Sequence, residues 1–292
     1  MATTKTWLVT GATHGLGREM TEQLLRRGDR VAGTGRDEEA LADLTRAHGD
    51  AFWPAVLDVT DTPAVRQTVD RAAAALGRLD VVVNNAGYGL FGAAEELSDA
   101  QVEHQLATNL TGSISVARAA TPHLRAQGGG RIVQVSTYGG QAASAGGSLY
   151  NASKFGIEGF MEALAKELAV FGIGVTIIEP GGTATGFRSN ARLGQPLAAY
   201  DGTPAAAVRG LTTGTRPAPG HPVKVAAMTI AAAEQVPAPL RVVLGSDSFR
   251  FVHQALQDRL ADVAHQHEQA GRADVSPPAP IRRETLEKEQ EA

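Results

Sequence analysis

The sequence predicts an α/β fold: a doubly wound parallel sheet of about seven strands, with helices on both faces, in a single domain. Three observations carry this. Short β-rich runs alternate along the chain with longer amphipathic stretches. Several of the short runs are apolar throughout, as strands buried on both faces must be. The first run passes directly into a glycine-rich loop and then a helical pattern, the junction at which such sheets hold phosphate groups.

In chain order, Trp7–Gly11 is the first strand, and Arg18–Arg27 the helix after the glycine-rich loop. Val31–Gly35 follows, then Glu38–His48, with Asp37 placed to cap that helix. Phe52–Val59 precedes the helix Pro63–Leu76, and Leu79–Asn84 precedes a long helix, Asp99–Arg125. Arg131–Thr137 leads to the helix Asn151–Phe171, where Phe155, Met161, Leu164 and Leu168 recur at helical spacing and Pro is absent. Val175–Glu179 and Arg241–Leu244 complete the sheet, and a last helix covers Phe249–Glu268. Gly186–Pro222 is rich in Gly, Pro, Ala and Thr and reads as a long insert, either a lid or a packed helical element. The domain is expected over residues 1–270, with a charged, mobile tail over 271–292.

A chain of 292 residues with 43% hydrophobic content fits one large domain or two small ones, and a net charge of −4 argues against a nucleic-acid partner. The absence of cysteine excludes a disulfide framework, a thiolate-bound metal and a thiol nucleophile. The eight histidines are scattered, and the closest pair, His265 and His267, lies on a solvated helix, so no metal site is expected. Met1–Thr6 is polar and no apolar run reaches membrane-spanning length, which predicts a cytoplasmic protein with no membrane partner.

The chemistry is concentrated in Tyr150-Asn151-Ala152-Ser153-Lys154. Tyr150 and Lys154 stand four apart and share one helix face. An ammonium beside a phenol favours the phenolate and draws its pKa below the free value of about 10, which makes Tyr a usable acid or base. An isolated Y-x-x-x-K is as well explained by a surface pair, so its weight depends on the rest of the chain.

That context is specific. Thr10-Gly11-Ala12-Thr13-His14-Gly15-Leu16-Gly17 follows the first strand, Asn84-Asn85-Ala86-Gly87 the fourth, and Ser136-Thr137 ends the fifth. Asn109 lies in a Thr-Asn-Leu-Thr-Gly run, and Pro180-Gly181 with Thr183 and Thr185 follows the sixth strand. Together these motifs resemble the short-chain dehydrogenase/reductase family over residues 5–250. The resemblance implies a Rossmann fold and an NADP(H)-dependent oxidoreductase that interconverts a carbonyl and an alcohol. A regulatory protein that binds the cofactor without turnover is the alternative. It implies that Tyr150 is the general acid/base, that Lys154 lowers its pKa and holds the cofactor ribose, and that Asn109 keeps a water in the proton relay. The family's hydroxyl stands thirteen residues before the Tyr. Here that is Thr137, with Ser136 one residue earlier. Neighbouring strand residues point to opposite faces, so only one serves, and both stay open at this point.

The same resemblance assigns Gly11, Thr13, His14, Gly15, Leu16 and Gly17 to the pyrophosphate loop. It assigns Asp58 and Val59 to the flank of the adenine, Asn85, Ala86 and Gly87 to cofactor binding, and Pro180, Gly181, Thr183 and Thr185 to the nicotinamide. NADP(H) is favoured over NAD(H) because Gly35 is not acidic, Arg36 follows it, and His14 adds a basic group. Asp37 is the opposing observation. Candidate substrate residues are Tyr88, Leu90, Phe91, Tyr138, Gln141, Ser144, Phe187, Leu193, Tyr200 and Leu211, which suggest a small, mainly apolar substrate. Apolar residues on more than one face of the two long central helices, such as Leu106, Leu110, Phe160 and Leu164, predict a homodimer or homotetramer.

Overall fold

The strands of the computed structural model are β1 (Thr6–Thr10), β2 (Arg30–Gly35), β3 (Phe52–Val56), β4 (Val81–Asn84), β5 (Leu90–Phe91), β6 (Gly130–Val135), β7 (Ile173–Pro180), β8 (Arg192–Leu193) and β9 (Arg241–Leu244). The helices are α1 (Gly15–Arg26), α2 (Glu38–His48), α3 (Thr62–Leu76), α4 (Asp99–Leu106), α5 (Ser113–Ala126), α6 (Ser148–Leu168), α7 (Pro222–Glu234), α8 (Ser246–Ala264) and α9 (His267–Gly271). The structure describes residues 4–211 and 218–275. The charged stretch Ile281–Ala292 and part of the long insert, Gly214 included, lie outside the described residues.

Seven strands form one parallel sheet in the order β3-β2-β1-β4-β6-β7-β9. Strands after β1 are added outward on one side and strands from β4 outward on the other, so the order reverses between β1 and β4. The carboxyl ends of these two strands therefore open a crevice, the place where such sheets take ligands. Both faces are buried. Leu8, Ala32 and Val82 pack under Val65 of α3, Val116 of α5 and Met161 of α6. Their strand neighbours Trp7, Val31 and Val83 pack under Met20 of α1, Leu41 of α2 and Ile230 of α7. Each fully buried Leu or Ile contributes about 1.5–3 kcal/mol, which is why these strands read as unbroken apolar runs.

The helices begin where the local chemistry predicts. Asp37 accepts from the Ala40 N–H at 3.0 Å, and Asp61 from the Ala64 N–H at 2.9 Å. The expected single helix over Asp99–Arg125 is instead two, joined by a π-helical turn over Ala107–Gly112 that contains Asn109. Gly112 makes that turn possible, because a Cβ there would come within 2.9 Å of Val59. β3 stops at Val56, short of the predicted Val59. α7 was not foreseen in the sequence reading. It opens with Pro at its first turn and is rich in Ala. Residues up to Val252 form one compact unit, and those from His253 a second, made of the end of α8 and α9. Among the described residues no helix is long and apolar enough to cross a membrane.

Candidate active site

The glycine-rich loop is built by close backbone approach. A Cβ at Gly17 would lie 2.1 Å from the Gly11 carbonyl oxygen, so α1 can start this near the loop only with glycine there. The loop is pinned from the next strand. Asn85 Nδ2 donates to Thr10 O at 2.9 Å and to Gly11 O at 3.2 Å. Thr10 Oγ1 accepts from the amides of Asn85 and Ala86 at 2.9 and 3.1 Å. Asn85 thus works mainly as a brace between β4 and the loop. The N-terminus of α1 has no acidic residue in its first turn, and the side chain of His14, at its cap, makes no capping bond. Its backbone donors are free to receive an anion.

Between this loop and α6 lies a cleft of about 710 Å³. Of the site residues picked from the sequence, all but Gly17 and Asn109 line it. Gly17 acts from behind by its packing. Asn109 is 1% exposed and committed to protein: its Nδ2 donates to Tyr88 O at 2.9 Å and its Oδ1 accepts from Tyr88 N at 3.1 Å.

At the end of the cleft beside β2, Arg36 and Asp58 face each other at 3.8 Å, and His14 and Asp37 at 3.5 Å. Each basic candidate for a cofactor phosphate thus has a carboxylate beside it. At the other end, Tyr150 is 9% exposed and its ring sits between Phe91 and Phe187, with centroids at 5.3 and 5.9 Å. Lys154 Nζ is 5.9 Å from the Tyr150 ring centroid and donates to Val135 O at 3.0 Å. The two strand-end hydroxyls diverge. Thr137 Oγ1 donates to Pro180 O at 3.3 Å and its side chain favours the Tyr150 phenolate, whereas Ser136 Oγ turns away and donates to Glu158 at 2.5 Å.

The electrostatics differ from the sequence expectation on one point. Lys154 was expected to draw the Tyr150 phenol down. In the structure burial pushes it up, with a smaller upward push from Tyr138, and Thr137 only partly opposes this. The ammonium is turned to the Val135 carbonyl, and burial pushes Lys154 itself down to about 8, against an upward push from Glu158.

The substrate side is less apolar than expected. Tyr88, Phe91, Tyr138, Ser144, Phe187 and Leu211 line the cleft, but Leu90, Gln141, Leu193 and Tyr200 do not. Leu90 is core, and Gln141 donates to Glu158. Arg188, Asn190 and Arg192 of the insert and His104 of α4 line it instead. Arg192 lies over the Tyr88 ring at 5.0 Å, and the Tyr88 hydroxyl meets His104 Nδ1 at 2.9 Å. The insert is tethered in place: β8 pairs with β5, Gly194 N donates to Phe91 O at 2.9 Å, and Leu197 N donates to Glu96 at 2.9 Å. The mixed composition of the insert hid these basic residues in a stretch without periodicity.

The whole arrangement has close counterparts. A short-chain dehydrogenase from Streptomyces avermitilis is similar with a TM-score of 0.87 and 36% identity, over 94% of this chain and 100% of that one. The closed form of serine dehydrogenase complexed with NADP+ is similar with a TM-score of 0.70 and 28% identity, over 82% of this chain and 93% of that one. A short-chain dehydrogenase/reductase from Burkholderia phymatum in complex with NAD shares the fold, with a TM-score of 0.73 at 24% identity over 96% and 98% of the two chains. The short chain dehydrogenase family model matches residues 5–196, from β1 through the Tyr150 helix to the start of the insert. The family match over residues 5–196 and the likeness of the whole chain to a solved short-chain dehydrogenase show that it belongs to the short-chain dehydrogenase family of oxidoreductases.

Proposed function

We propose that the protein is an NADP(H)-dependent carbonyl reductase or alcohol dehydrogenase with Tyr150 as its general acid/base. The observation that carries this reading is the convergence of Tyr150, Thr137 and Lys154 in the same cleft as the uncapped N-terminus of α1. The free donors of that helix, and a glycine loop with no side chain in the way, fit a dinucleotide. His14, Gly15 and Leu16 would hold its pyrophosphate, Lys154 its ribose, and Thr183 and Thr185 its carboxamide. When bound, the nicotinamide supplies or accepts a hydride.

The chain's own groups do the rest. In the reducing direction the Tyr150 hydroxyl passes its proton to the carbonyl oxygen. Thr137 donates to the same oxygen and stabilises the charge that develops there. Phe91 and Phe187, packed on the Tyr150 ring, keep water from the transfer. Asn109 holds Tyr88 and the widened turn in place. The aromatic walls, with Arg188, Arg192 and Asn190 among them, suit a small substrate of mixed polarity. A panel of carbonyl compounds with NADPH absorbance as readout tests the reading, and no turnover of any of them counts against it.

NADP(H) is favoured because no acid follows β2 directly and Arg36 takes that position. Arg36→Leu is expected to raise the Michaelis constant for NADPH about tenfold, the factor for about 1.4 kcal/mol, and to leave NADH nearly unchanged. Tighter binding of NAD(H) by the unaltered protein contradicts the assignment.

A homodimer or homotetramer is part of the same proposal. Phe155 of α6 is 38% exposed, and Val170 and Phe171, beyond the end of that helix, are 82% and 42% exposed, apolar surface that suits a second copy. Light scattering at micromolar concentration is expected to report at least a dimer, and a monomer overturns this.

A further inference from the structure

Behind the reaction centre lies a second, buried layer of charge. Glu158 follows Lys154 by one turn of α6 and is 1% exposed. It accepts from Ser136 Oγ at 2.5 Å through Oε1 and from Gln141 Nε2 through Oε2. Ser136 immediately precedes Thr137, and Gln141 closes the short turn after it, so one carboxylate grips both ends of the Thr137 segment. Gly140 permits the approach, since a Cβ there would lie 1.9 Å from Glu158 Oε1. Behind Glu158, Glu179 of β7 is fully buried at 0% exposure. Arg241 of β9 serves both acids, its Nε lying 3.5 Å from Glu158 and 3.2 Å from Glu179, while its Nη2 reaches Glu162 at 2.9 Å.

Two carboxyls buried side by side with a single shared guanidinium are costly to keep, and packing alone does not call for them. Burial, helped by the charge of Glu158, pushes Glu179 up to about 7, so the pair retains a proton near neutral pH. Burial pushes Lys154 down, and Glu158 opposes that.

We propose that Glu158 is a positioning residue of the reaction centre: its carboxylate locks the Thr137 segment onto α6 and supplies the counter-charge for Lys154. The proposal rests on the roles given above to Tyr150, Lys154 and Thr137. The titratable groups around this layer are Tyr150, Lys154, Glu158 and Glu162 of α6, Tyr138 of the turn, Glu179 of β7, Arg241 of β9 and Asp247 of α8. Neutralising Glu158 alone leaves Glu179 free to give up its proton and replace part of the charge, so the full effect needs both changed.

The experiment reads Lys154 directly. Lysine carries the isotope label, and only Lys5, Lys154, Lys166, Lys224 and Lys288 contribute signals. The Lys154 signal is identified by its loss in Lys154→Met, and its titration midpoint is followed by NMR without substrate or cofactor. The midpoint is expected near 8 in the unaltered protein. It should fall by about one pH unit or more in Glu158→Gln/Glu179→Gln. Glu158→Gln alone, which keeps the shape and can still accept from Ser136, should show a smaller fall. An unmoved or raised midpoint in either variant overturns the counter-charge. Ser136→Ala keeps the charge and frees one end of the segment. It is expected to lower kcat about tenfold with the NADPH Kd unchanged, and an unchanged kcat overturns the locking role. A falling midpoint in a protein that turns over no carbonyl would defeat the proposed function and leave the counter-charge standing.

Discussion

Tyr150→Phe is expected to lower kcat by about 10²–10⁴-fold while the Kd for NADPH changes less than about twofold. The asymmetry follows from what the residue touches. Its ring is held by Phe91 and Phe187, and Phe fills the same space, so packing and fold survive. Only the hydroxyl is lost, and with it the proton donor of the proposed reading. The cofactor is held elsewhere, by the α1 N-terminus and Lys154 in the proposed reading. Thr137→Ala should be milder, since it removes one donor to the developing charge and not the transferred proton. Single-turnover absorbance together with NADPH fluorescence titration separates the two quantities. A Phe variant that keeps most of its activity on a carbonyl substrate means the acid lies elsewhere.

Much of this centre is legible in the sequence because it depends on short-range geometry. Tyr150 and Lys154 share a helix face by spacing alone, and the glycine loop declares itself between a strand and a helix. The choice between Ser136 and Thr137 is of another kind. It turns on the register of one strand end, and the structure decides the direction of each side chain by giving Ser136 a partner in Glu158. Glu158 itself was missed although it continues the face that carries Tyr150 and Lys154. A helical Glu reads as a solvated charge, and its burial exists only because β7 and β9 bring Glu179 and Arg241 against it. α7 escaped because its Ala-rich pattern follows directly on a loop-like insert. The basic residues of the insert are placed by the pairing of β8 with β5, a contact between segments about a hundred residues apart that no local pattern encodes.

Lys154→Met is expected to abolish turnover and yet stabilise the fold. In the unaltered protein Lys154 is 6% exposed, and burial draws its pKa from 10.5 to about 8. A lysine whose folded pKa lies below its unfolded one opposes folding. Below pH 8 both states are protonated and the full penalty applies, about 3 kcal/mol for a shift of this size. Between pH 8 and 10.5 the folded lysine is neutral while the unfolded one still binds a proton, so the unaltered protein gains stability as pH rises. Above that window the penalty is gone. Met fills the stem's volume without the charge but leaves Val135 O without its donor, which costs about 1 kcal/mol. The net gain of about 2 kcal/mol should raise the Tm of the variant by on the order of 4–8 °C at pH 7. That gap should close as the pH passes from 8 towards 10.5. Scanning calorimetry across this range reads it. A variant that melts below the unaltered protein at pH 7, or a gap that widens with pH, means that Lys154 is satisfied where it lies and that its charge is not held there against the stability of the fold.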